Sequence, residues 1–496
     1  MNTTWLVVLP ILLPMTGAVL GLLLRRLPRL QIVLTILAIL SALVTSLALL
    51  YTVFTTNEPV VFQVGGWPAP AGITLMGDYL SAFMVVMSQI VLAAGILYAT
   101  GCRDKCVRFP GFYPLFLMLA TGLTGALLTG DLFNMFVFAE LMVISGAVLT
   151  AISDDRFGVE AAYKYFYISL LASILLLLSC GALYASYGTL NMADLSRQIS
   201  AEPNLPLTGL AMALLLVFFM IKSAVVPFHF WQPDFHTAAT TPLSALLSSV
   251  VVKLGVYGFI RMTTLLFLDQ APDIRRLFVV MGCVGVILGG LGATGTHNAK
   301  RMLAYSTLAQ IGFILTGIGW GTPLSLSAAL IFTFNHSLIK SAMLMLAGAM
   351  ASRTAVKSAA FQVLAGVGKA SPTAGALFFL GGIALAGIPP TNGFISKMVF
   401  FTSGIDAQAY LSMGLIGVAS LLTLVYTMRG FMKIWWEEPA GGAKIKTGGD
   451  RLIIPAVLIT ICLVLGVWAE PLVNLSQRIV IWLGNPALYI QAVLGG

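Results

Sequence analysis

Six titratable side chains stand inside apolar segments that are long enough to cross a lipid bilayer. They are Glu140, Lys222, Lys253, His336, Lys340 and Lys397. A charged group at the centre of a membrane helix costs about 2.5–3.5 kcal/mol on insertion scales, so its default interpretation is a function. Each of these groups can take up and release a proton, and the series therefore predicts a proton relay that runs along the membrane plane.

Glu140 and Lys222 carry opposite charges, and each would keep the other charged if the two were adjacent. A contact that alternates between made and broken would then let Lys222 bind and release a proton. Lys222 is also followed by Pro227 in a polar stretch, and irregular backbone at membrane depth survives only against protein or a watery cavity. These two residues are therefore the predicted centre of the relay.

The other four relay candidates follow along the chain. Lys253 stands in the next apolar segment, and Lys397 closes the series. His336 and Lys340 are four residues apart and would share one helix face. The alternatives are a purely structural ion pair for Glu140, Lys222, Lys253 and Lys397, packing for His336, and extension of Lys340 toward the cytoplasm.

Three polar residues between the segments of Lys222 and Lys253 are candidates for a cytoplasmic mouth where protons would enter. They are His229, Asp234 and His236. An interfacial position is equally consistent for the two histidines. Asp234, like Asp131, stands near a predicted helix end and could instead be solvated or cap that helix.

Composition and apolar periodicity define the elements that must hold these residues. The chain has 496 residues, of which 59% are hydrophobic and 9% charged, with a mean hydropathy of +0.97. Soluble domains carry roughly 25% charged residues, so an all-α polytopic membrane protein is predicted. About fourteen helices are expected near 4–24, 30–54, 78–100, 110–129, 131–151, 160–187, 206–226, 242–264, 275–297, 302–320, 324–350, 371–403, 407–435 and 452–475.

The seventh and twelfth predicted helices share a design, since each combines a break at proline with a lysine. Lys222 precedes Pro227, whereas Lys397 follows Pro389 and Pro390. Helices five positions apart have opposite orientations, which predicts two inverted five-helix repeats. The expected divisions are a three-helix segment at 1–109, repeats at 110–264 and 265–435, and a loop, helix and tail at 436–496.

The basic residues predict the orientation. Eighteen of them, including Lys105, Lys300, Lys357 and Lys444, fall on one side. Five fall on the other: Arg197, Arg261, Arg275, Arg276 and Arg478. The first side is therefore predicted to be cytoplasmic, with both termini outside. This distribution explains the net charge of +9 without nucleic acid.

The sequence predicts no cofactor and no metal site. Gly290, Gly292 and Gly295 match a dinucleotide fingerprint, but they stand inside an apolar helix, where small residues allow close packing. Cys102 and Cys106 could bind a metal, yet no further cysteine or histidine stands near them on that loop. The loops are too short for a soluble catalytic domain.

Four sequence runs resemble the antiporter-like family. They are TGDLFNMFVFAE (129–140), KSAVVPFHFW (222–231), LSSVVVKLGVYG (247–258) and NHSLIKSAM (335–343). This family comprises proton-pumping membrane chains of respiratory complex I, of membrane-bound hydrogenases and of multi-subunit Mrp-type cation/proton antiporters. The first run is most similar to the D-type chains of the Mrp group.

The resemblance implies that Glu140 and Lys222 form the key pair, with Lys253 and His336 as the relay and Lys397 as the terminal lysine. It also implies a secondary transporter subunit that works with other antiporter subunits in a bacterial cell membrane and exchanges protons for a monovalent cation, sodium being expected. An N- or M-type chain of complex I or a hydrogenase subunit is the alternative. Ala139 departs from the family pattern, in which a bulky aromatic often precedes the glutamate.

Overall fold

The structure is a computed structural model that describes residues 3–153, 155–438, 445–446 and 448–495. Ten helices in this part of the chain are long and apolar enough to cross a membrane, or twelve if each of two bent helix pairs counts as one span. Two shorter apolar helices accompany them. The predicted all-α membrane fold is confirmed, whereas the count of fourteen stays a prediction, and Lys444 lies outside the described residues.

The elements follow one another along the chain as helices with one small hairpin. Strands β1 (Val60–Gln63) and β2 (Thr74–Gly77) are antiparallel, with Val60 opposite Gly77. The helices are α1 Trp5–Leu23, α2 Pro28–Thr56, α3 Tyr79–Thr100, α4 Phe112–Leu128, α5 Leu132–Ala151, α6 Arg156–Tyr187, α7 Met192–Ala201, α8 Thr208–Lys222, α9 Trp231–Ala238, α10 Thr241–Leu246, α11 Lys253–Arg261, α12 Ala271–Gly295, α13 Ala299–Trp320, α14 Pro323–Ala351, α15 Phe361–Leu364, α16 Val367–Ala370, α17 Pro372–Ala386, α18 Asn392–Asp406, α19 Tyr410–Trp435, α20 Ile453–Val467, α21 Glu470–Leu483 and α22 Pro486–Leu494.

Two long helices form the core around which the others pack. One is α14, which contacts α3, α10, α13, α17, α18, α20 and α21. The other runs from Thr241 to Leu266 and joins α10 and α11 through a π-helical turn at Leu247–Val251. Both are buried on nearly every side, as expected of helices enclosed by other helices. The polar residues on these two helices are therefore held inside protein.

The two interruptions predicted at proline are both present. Helix α8 ends at Lys222, and the chain resumes as α9 at Trp231 after a stretch that contains Pro227. Helix α17 ends at Ala386, and α18 begins at Asn392 after Pro389 and Pro390. Proline explains the breaks because it removes a backbone donor and clashes with the preceding turn.

Two of the three glycines of the rejected dinucleotide fingerprint lie where α12 packs closely on neighbouring helices. A Cβ atom on Gly292 would come within 2.5 Å of the ring of Tyr305 on α13, and one on Gly290 within 2.9 Å of Leu422 on α19. The predicted packing role is therefore confirmed for Gly290 and Gly292, whereas a Cβ atom on Gly295 would meet nothing within 4 Å. By contrast, the single helix predicted at 452–475 is two helices, α20 and α21, which are bent by 78° relative to each other.

Candidate functional site

The centre of the site is a contact between Lys253 and His336. Lys253 Nζ lies 2.7 Å from His336 Nδ1 and donates to the carbonyl of Ser248 at 3.2 Å. The side chain of Lys253 is fully buried, and His336 Nε2 has no hydrogen-bond partner among the described residues. The two groups can therefore exchange one proton directly, and the free ring nitrogen can pass it on.

The local backbone explains how Lys253 and His336 come together. Lys253 lies two residues after the end of the π-helical turn at Leu247–Val251, a type of turn that is frequent at functional sites. Ser337 Oγ on α14 donates to the carbonyl of Ser249 in that turn at 2.8 Å. This bond fixes α14 against the turn and holds His336 opposite Lys253.

Lys340 is fully buried, one helical turn after His336. Its Nζ donates to the carbonyl of Leu303 at 3.1 Å and to Ser306 Oγ at 2.8 Å. Ser306 Oγ in turn lies 2.7 Å from the hydroxyl of Tyr426. The alternative in which Lys340 extends into the cytoplasm is wrong, because the side chain is fully buried and both of its acceptors belong to α13.

Lys397 lies at the second helix break and has well-defined partners. Its Nζ donates to the carbonyl of Ala386 at 2.6 Å and to Ser420 Oγ at 2.5 Å, and it lies 5.6 Å from the centre of the Phe313 ring. Lys397 is thus held by the last carbonyl of α17. Helix C-termini carry partial negative charge, so this position suits an ammonium group.

A small cavity lies between His336 and Lys397. Its lining also includes Gln310, Asn335 and Ser396, and its volume of about 10 Å³ corresponds to about one water molecule. His336 Nε2 and Gln310 Nε2 are both buried without a protein partner among the described residues. The cavity therefore joins the central contact to the terminal lysine through polar groups that are free to bind water.

Lys222 and Glu140 do not form a direct ion pair in this structure. Lys222 Nζ has no hydrogen-bond partner among the described residues, and it lies 5.5 Å from the centre of the Phe218 ring. Glu140 is half-buried on α5 and accepts a hydrogen bond from Ser173. The carboxylate is still near enough to act on the lysine through its charge. The two charged groups are therefore not in contact, and their pairing stays a prediction.

The three candidates for the cytoplasmic mouth lie in different surroundings. His236 is fully buried, with Nδ1 3.2 Å from Ser244 Oγ. Asp234 forms ion pairs with Lys164 at 2.9 Å and Arg301 at 3.2 Å near the surface. His229 is half-buried. Only His236 is therefore enclosed in the protein.

Asp131, the other acidic residue expected near a helix end, has the predicted capping role. It stands just before α5, and its carboxylate accepts a hydrogen bond from the backbone N–H of Asn134 at 2.8 Å. This bond satisfies one of the free donors in the first turn of the helix.

Lys300 and Arg261 are among the buried charges that sequence reasoning missed, because it counted them as loop residues. Lys300 is buried at the start of α13, where its Nζ donates to the carbonyl of Ala239 at 3.0 Å. Arg261 is buried and pairs with Asp78 at 2.7 Å. Burial by itself would raise the pKa of Asp78, but the charge and hydrogen bond of Arg261, with bonds from Ser81, hold that pKa below its usual value. Both basic residues stand at the edges of apolar windows, which is the signal that could have identified them.

Comparisons with known proteins agree on one family. The family described as NADH:quinone oxidoreductase/Mrp antiporter, transmembrane, matches residues 129–423. The chain is 31% identical to the D subunit of the Na(+)/H(+) antiporter of Alkalihalophilus pseudofirmus, over 99% of each chain. It is also 31% identical to the N subunit of the NADH-quinone oxidoreductase of Desulforudis audaxviator, over 95% of this chain and 97% of that one. A chain in the structure of the Mrp complex from Dietzia sp. DQ12-45-1b superposes with a TM-score of 0.90 at 27% identity, with 99% of both chains covered.

Proposed function

The chain belongs to the NADH:quinone oxidoreductase/Mrp antiporter transmembrane family, and from this premise we propose that it is the proton-translocating subunit of a multi-subunit Na⁺/H⁺ antiporter. Similarity over the full length to chains named as the D subunit of such antiporters supports this assignment, as does the structural match to the Mrp complex. The chain is then a secondary transporter subunit in a hetero-oligomeric complex of a bacterial membrane.

The observation that carries the proposal is the buried contact between Lys253 and His336. A proton held on the Lys253 ammonium passes to His336 Nδ1, which leaves a neutral lysine and a charged imidazole. The imidazole then releases a proton from Nε2 toward the cavity, and the amine of Lys397 accepts it through water. Each step transfers one proton from a donor to an acceptor. The same steps in reverse order carry a proton from Lys397 to Lys253.

Glu140 and Lys222 deliver protons to, and accept protons from, the end of the relay opposite Lys397. Lys222 is buried, and its ammonium has no hydrogen-bond partner among the described residues, so the carboxylate of Glu140 is its main electrostatic support. Movement of the carboxylate toward or away from Lys222 changes how firmly the lysine holds its proton. The proton affinity of Lys222 therefore depends on the position of the Glu140 carboxylate. A conformational change that moves this carboxylate would affect the whole relay.

The division into inverted repeats and the outward position of both termini are parts of the same proposal. The matching breaks after α8 and α17, with lysines on opposite sides of the proline, support the repeats. The charge distribution supports the orientation. Single cysteines at Lys105 and Lys357 should escape an impermeant thiol reagent added to sealed cells, and so should one at Lys444. Labelling of any of them would reverse the orientation.

The activity is tested in everted vesicles that contain the whole complex, with cation-induced proton exchange as the readout. We expect Lys253→Ala to abolish exchange while the complex still assembles on a native gel. Lys369→Ala, which removes an exposed lysine, is the matched control and should leave exchange unchanged. Normal exchange by the Lys253 variant would refute the relay. The purified chain alone should show no cation-driven exchange in liposomes, because coupling to the cation needs its partner subunits.

The second candidate is an antiporter-like subunit of a redox-driven complex, and the similarity to the N subunit of an NADH-quinone oxidoreductase favours it. Both functions use the same relay, so variants of Lys253 do not separate them. Affinity purification of the chain from its native membrane does. Small antiporter subunits among the co-purified proteins would support the antiporter, whereas flavin or iron–sulfur subunits would support the redox complex.

A further inference from the structure

A groove on the predicted outer side of the membrane, here called the outer groove, lies between the start of α12 and the end of α13. Its volume is about 500 Å³, and its lining includes Pro272, Arg275, Val280 and Trp320. A second cavity of about 210 Å³ shares Arg275 and Gly321 with the outer groove and extends to the start of α14 and the end of α21. Arg275 therefore lies where the two cavities meet.

Arg275 brings a positive charge to this place without a negative partner. It is half-buried, and its guanidinium donates to the carbonyl of Thr263 at 3.3 Å. No carboxylate of the described residues forms an ion pair with it, and no aspartate or glutamate lines either cavity. Arg276 differs, because it pairs at the surface with Asp273 at 3.2 Å. The uncompensated charge is therefore that of Arg275.

Two glycines at the end of α13 fix the position of Arg275. A Cβ atom on Gly319 would come within 2.8 Å of the backbone oxygen of Arg275. Gly321 has a φ of +73°, and a Cβ atom there would lie 3.0 Å from Cδ of Arg275 and 3.3 Å from a terminal nitrogen of its guanidinium. Because these two positions carry no side chain, Arg275 lies against the end of α13, in the wall that both cavities share.

The outer groove lies at the predicted boundary between membrane and water. Trp320 is in its lining and donates from its indole N–H to Ser412 Oγ at 3.0 Å, and tryptophan is enriched at such boundaries. Arg275 is one of five basic residues on the predicted outer side, against eighteen on the other. Since membrane proteins place few basic residues on this side, an arginine here without a counter-charge is expected to bind a ligand.

Exposed apolar side chains continue from the outer groove toward the middle of the membrane. On α12 they follow Arg276 at spacings of three or four residues, which places them on one helix face. Helix α19 packs beside α12 and has a second stripe of this kind. The stripe on α12 consists of Val280, Val284, Leu288 and Leu291, and that on α19 of Leu411, Leu415, Val418, Leu421 and Val425. A charged groove that continues into exposed apolar stripes matches a molecule with a charged head and long apolar chains.

From this arrangement we propose that the outer groove is a binding site for an anionic phospholipid. The lipid phosphate lies against Arg275, and the acyl chains lie along the stripe on α12. Arginine suits this role because its planar guanidinium donates two parallel hydrogen bonds to phosphate oxygens. A zwitterionic lipid also carries a phosphate, but its ammonium group cancels the charge, so the unpaired arginine favours an anionic lipid. The site is separate from the relay, and the inference does not depend on the proposed function.

The first arm of the test measures whether lipid protects a thiol in the outer groove. The whole complex, with Cys102→Ser and Cys106→Ser, is purified in mild detergent and depleted of lipid, and Pro272→Cys places an exposed thiol in the groove lining. Phosphatidylglycerol should slow the reaction of this thiol with a maleimide about threefold at twice the half-saturating amount. Phosphatidylcholine should protect it much less. Pro206→Cys, at an exposed position on the same side but outside both cavities, is the matched control and should react equally with either lipid present.

Three outcomes of the first arm would overturn the proposal. Equal protection by the two lipids would show that the site does not require an anionic headgroup. Equal protection by inorganic phosphate would show that the ligand is a free anion and not a lipid. If the thiol of Pro272→Cys stays unreactive in the lipid-depleted complex, a partner subunit covers the outer groove.

The second arm tests Arg275 in the background of Pro272→Cys. A basic residue near anionic lipid contributes about 1 kcal/mol to binding, so the half-saturating amount of phosphatidylglycerol should rise about fivefold in Arg275→Gln. Arg275→Lys keeps the charge and should largely restore protection. Arg197→Gln removes an arginine of the same side that pairs with Asp194, and it should have no effect. Unchanged protection in Arg275→Gln would overturn the role of Arg275, and if that variant does not assemble, the comparison of the two lipids decides.

Discussion

Lys222 and Lys397 stand at opposite ends of the proposed relay, and the protein holds them in different ways. The two are almost equally buried, at 5% and 7% exposure, so burial does not distinguish them. Lys397 donates to a helix-terminal carbonyl and to a serine hydroxyl. Lys222 Nζ has no such acceptor among the described residues and depends on the charge of Glu140.

The position of each helix break explains the difference. Lys222 is the last residue of α8, so the break follows it and the free carbonyls belong to its own helix end. Lys397 stands in α18, after the break, and its side chain reaches back to the carbonyl end of α17. Discontinuous helices in transporters use such ends to coordinate cations. This difference fits the proposed relay, in which the Lys397 end holds a charge and the Lys222 end responds to a neighbouring charge.

The substitution Lys222→Arg is the strongest test of the difference between Lys222 and Lys397. Arginine keeps the positive charge but does not deprotonate at working pH, so a relay through this position should stop. Cation-induced proton exchange in everted vesicles should fall to background, with assembly confirmed on a native gel. Full exchange by the arginine variant would mean that Lys222 is structural.

Glu140→Gln should have the next largest effect. It removes the charge that supports Lys222 and leaves an amide of the same shape beside Ser173. We expect exchange to fall by about tenfold or more, because a shift of one unit in proton affinity corresponds to about 1.4 kcal/mol. Glu160→Gln, on the exposed part of α6, is the control and should stay near normal. If both variants show the same near-normal exchange, Glu140 has no role in the mechanism.

Much of this site could be predicted from sequence because charged residues inside apolar windows are rare. That rule identified Lys253, His336 and Lys397, and proline identified both helix breaks. It failed for Lys300, since a lysine at the end of an apolar window has the same local pattern whether it faces solvent or turns inward. Only the packing of α9 against α13 makes that choice.

The distance between Glu140 and Lys222 could not be predicted for a similar reason. Their charges are visible in the sequence, but the separation of their helices depends on contacts between residues far apart in the chain. Ser173 on α6, which binds the carboxylate, gives no signal of its own in an apolar helix.

Gly387→Ala should disturb the Lys397 end to an intermediate degree. Gly387 has a φ of +82°, and a Cβ there would come within 2.5 Å of Lys397 Cδ. The left-handed conformation alone costs a residue with a side chain about 1–2 kcal/mol. We expect a moderate loss of thermal stability and a several-fold loss of exchange. Gly382→Ala, within the preceding helix α17, meets only ordinary contacts beyond 3.4 Å and should be neutral. Equal behaviour of the two variants would show that Gly387 does not position Lys397.

Ser420→Ala should have the smallest effect, because it removes one of two hydrogen-bond acceptors from Lys397 and leaves the carbonyl of Ala386 in place. Hydrogen bonds between membrane helices are worth about 0.6 kcal/mol on average, which corresponds to about a threefold change in rate. Exchange should therefore fall about threefold. Ser403→Ala, which removes a buried hydroxyl bonded only within α18, should leave it unchanged. A loss of exchange as large as that in Glu140→Gln would show that Lys397 depends on a single partner as much as Lys222 does. The proposed contrast between a fixed Lys397 end and a switchable Lys222 end would then fail.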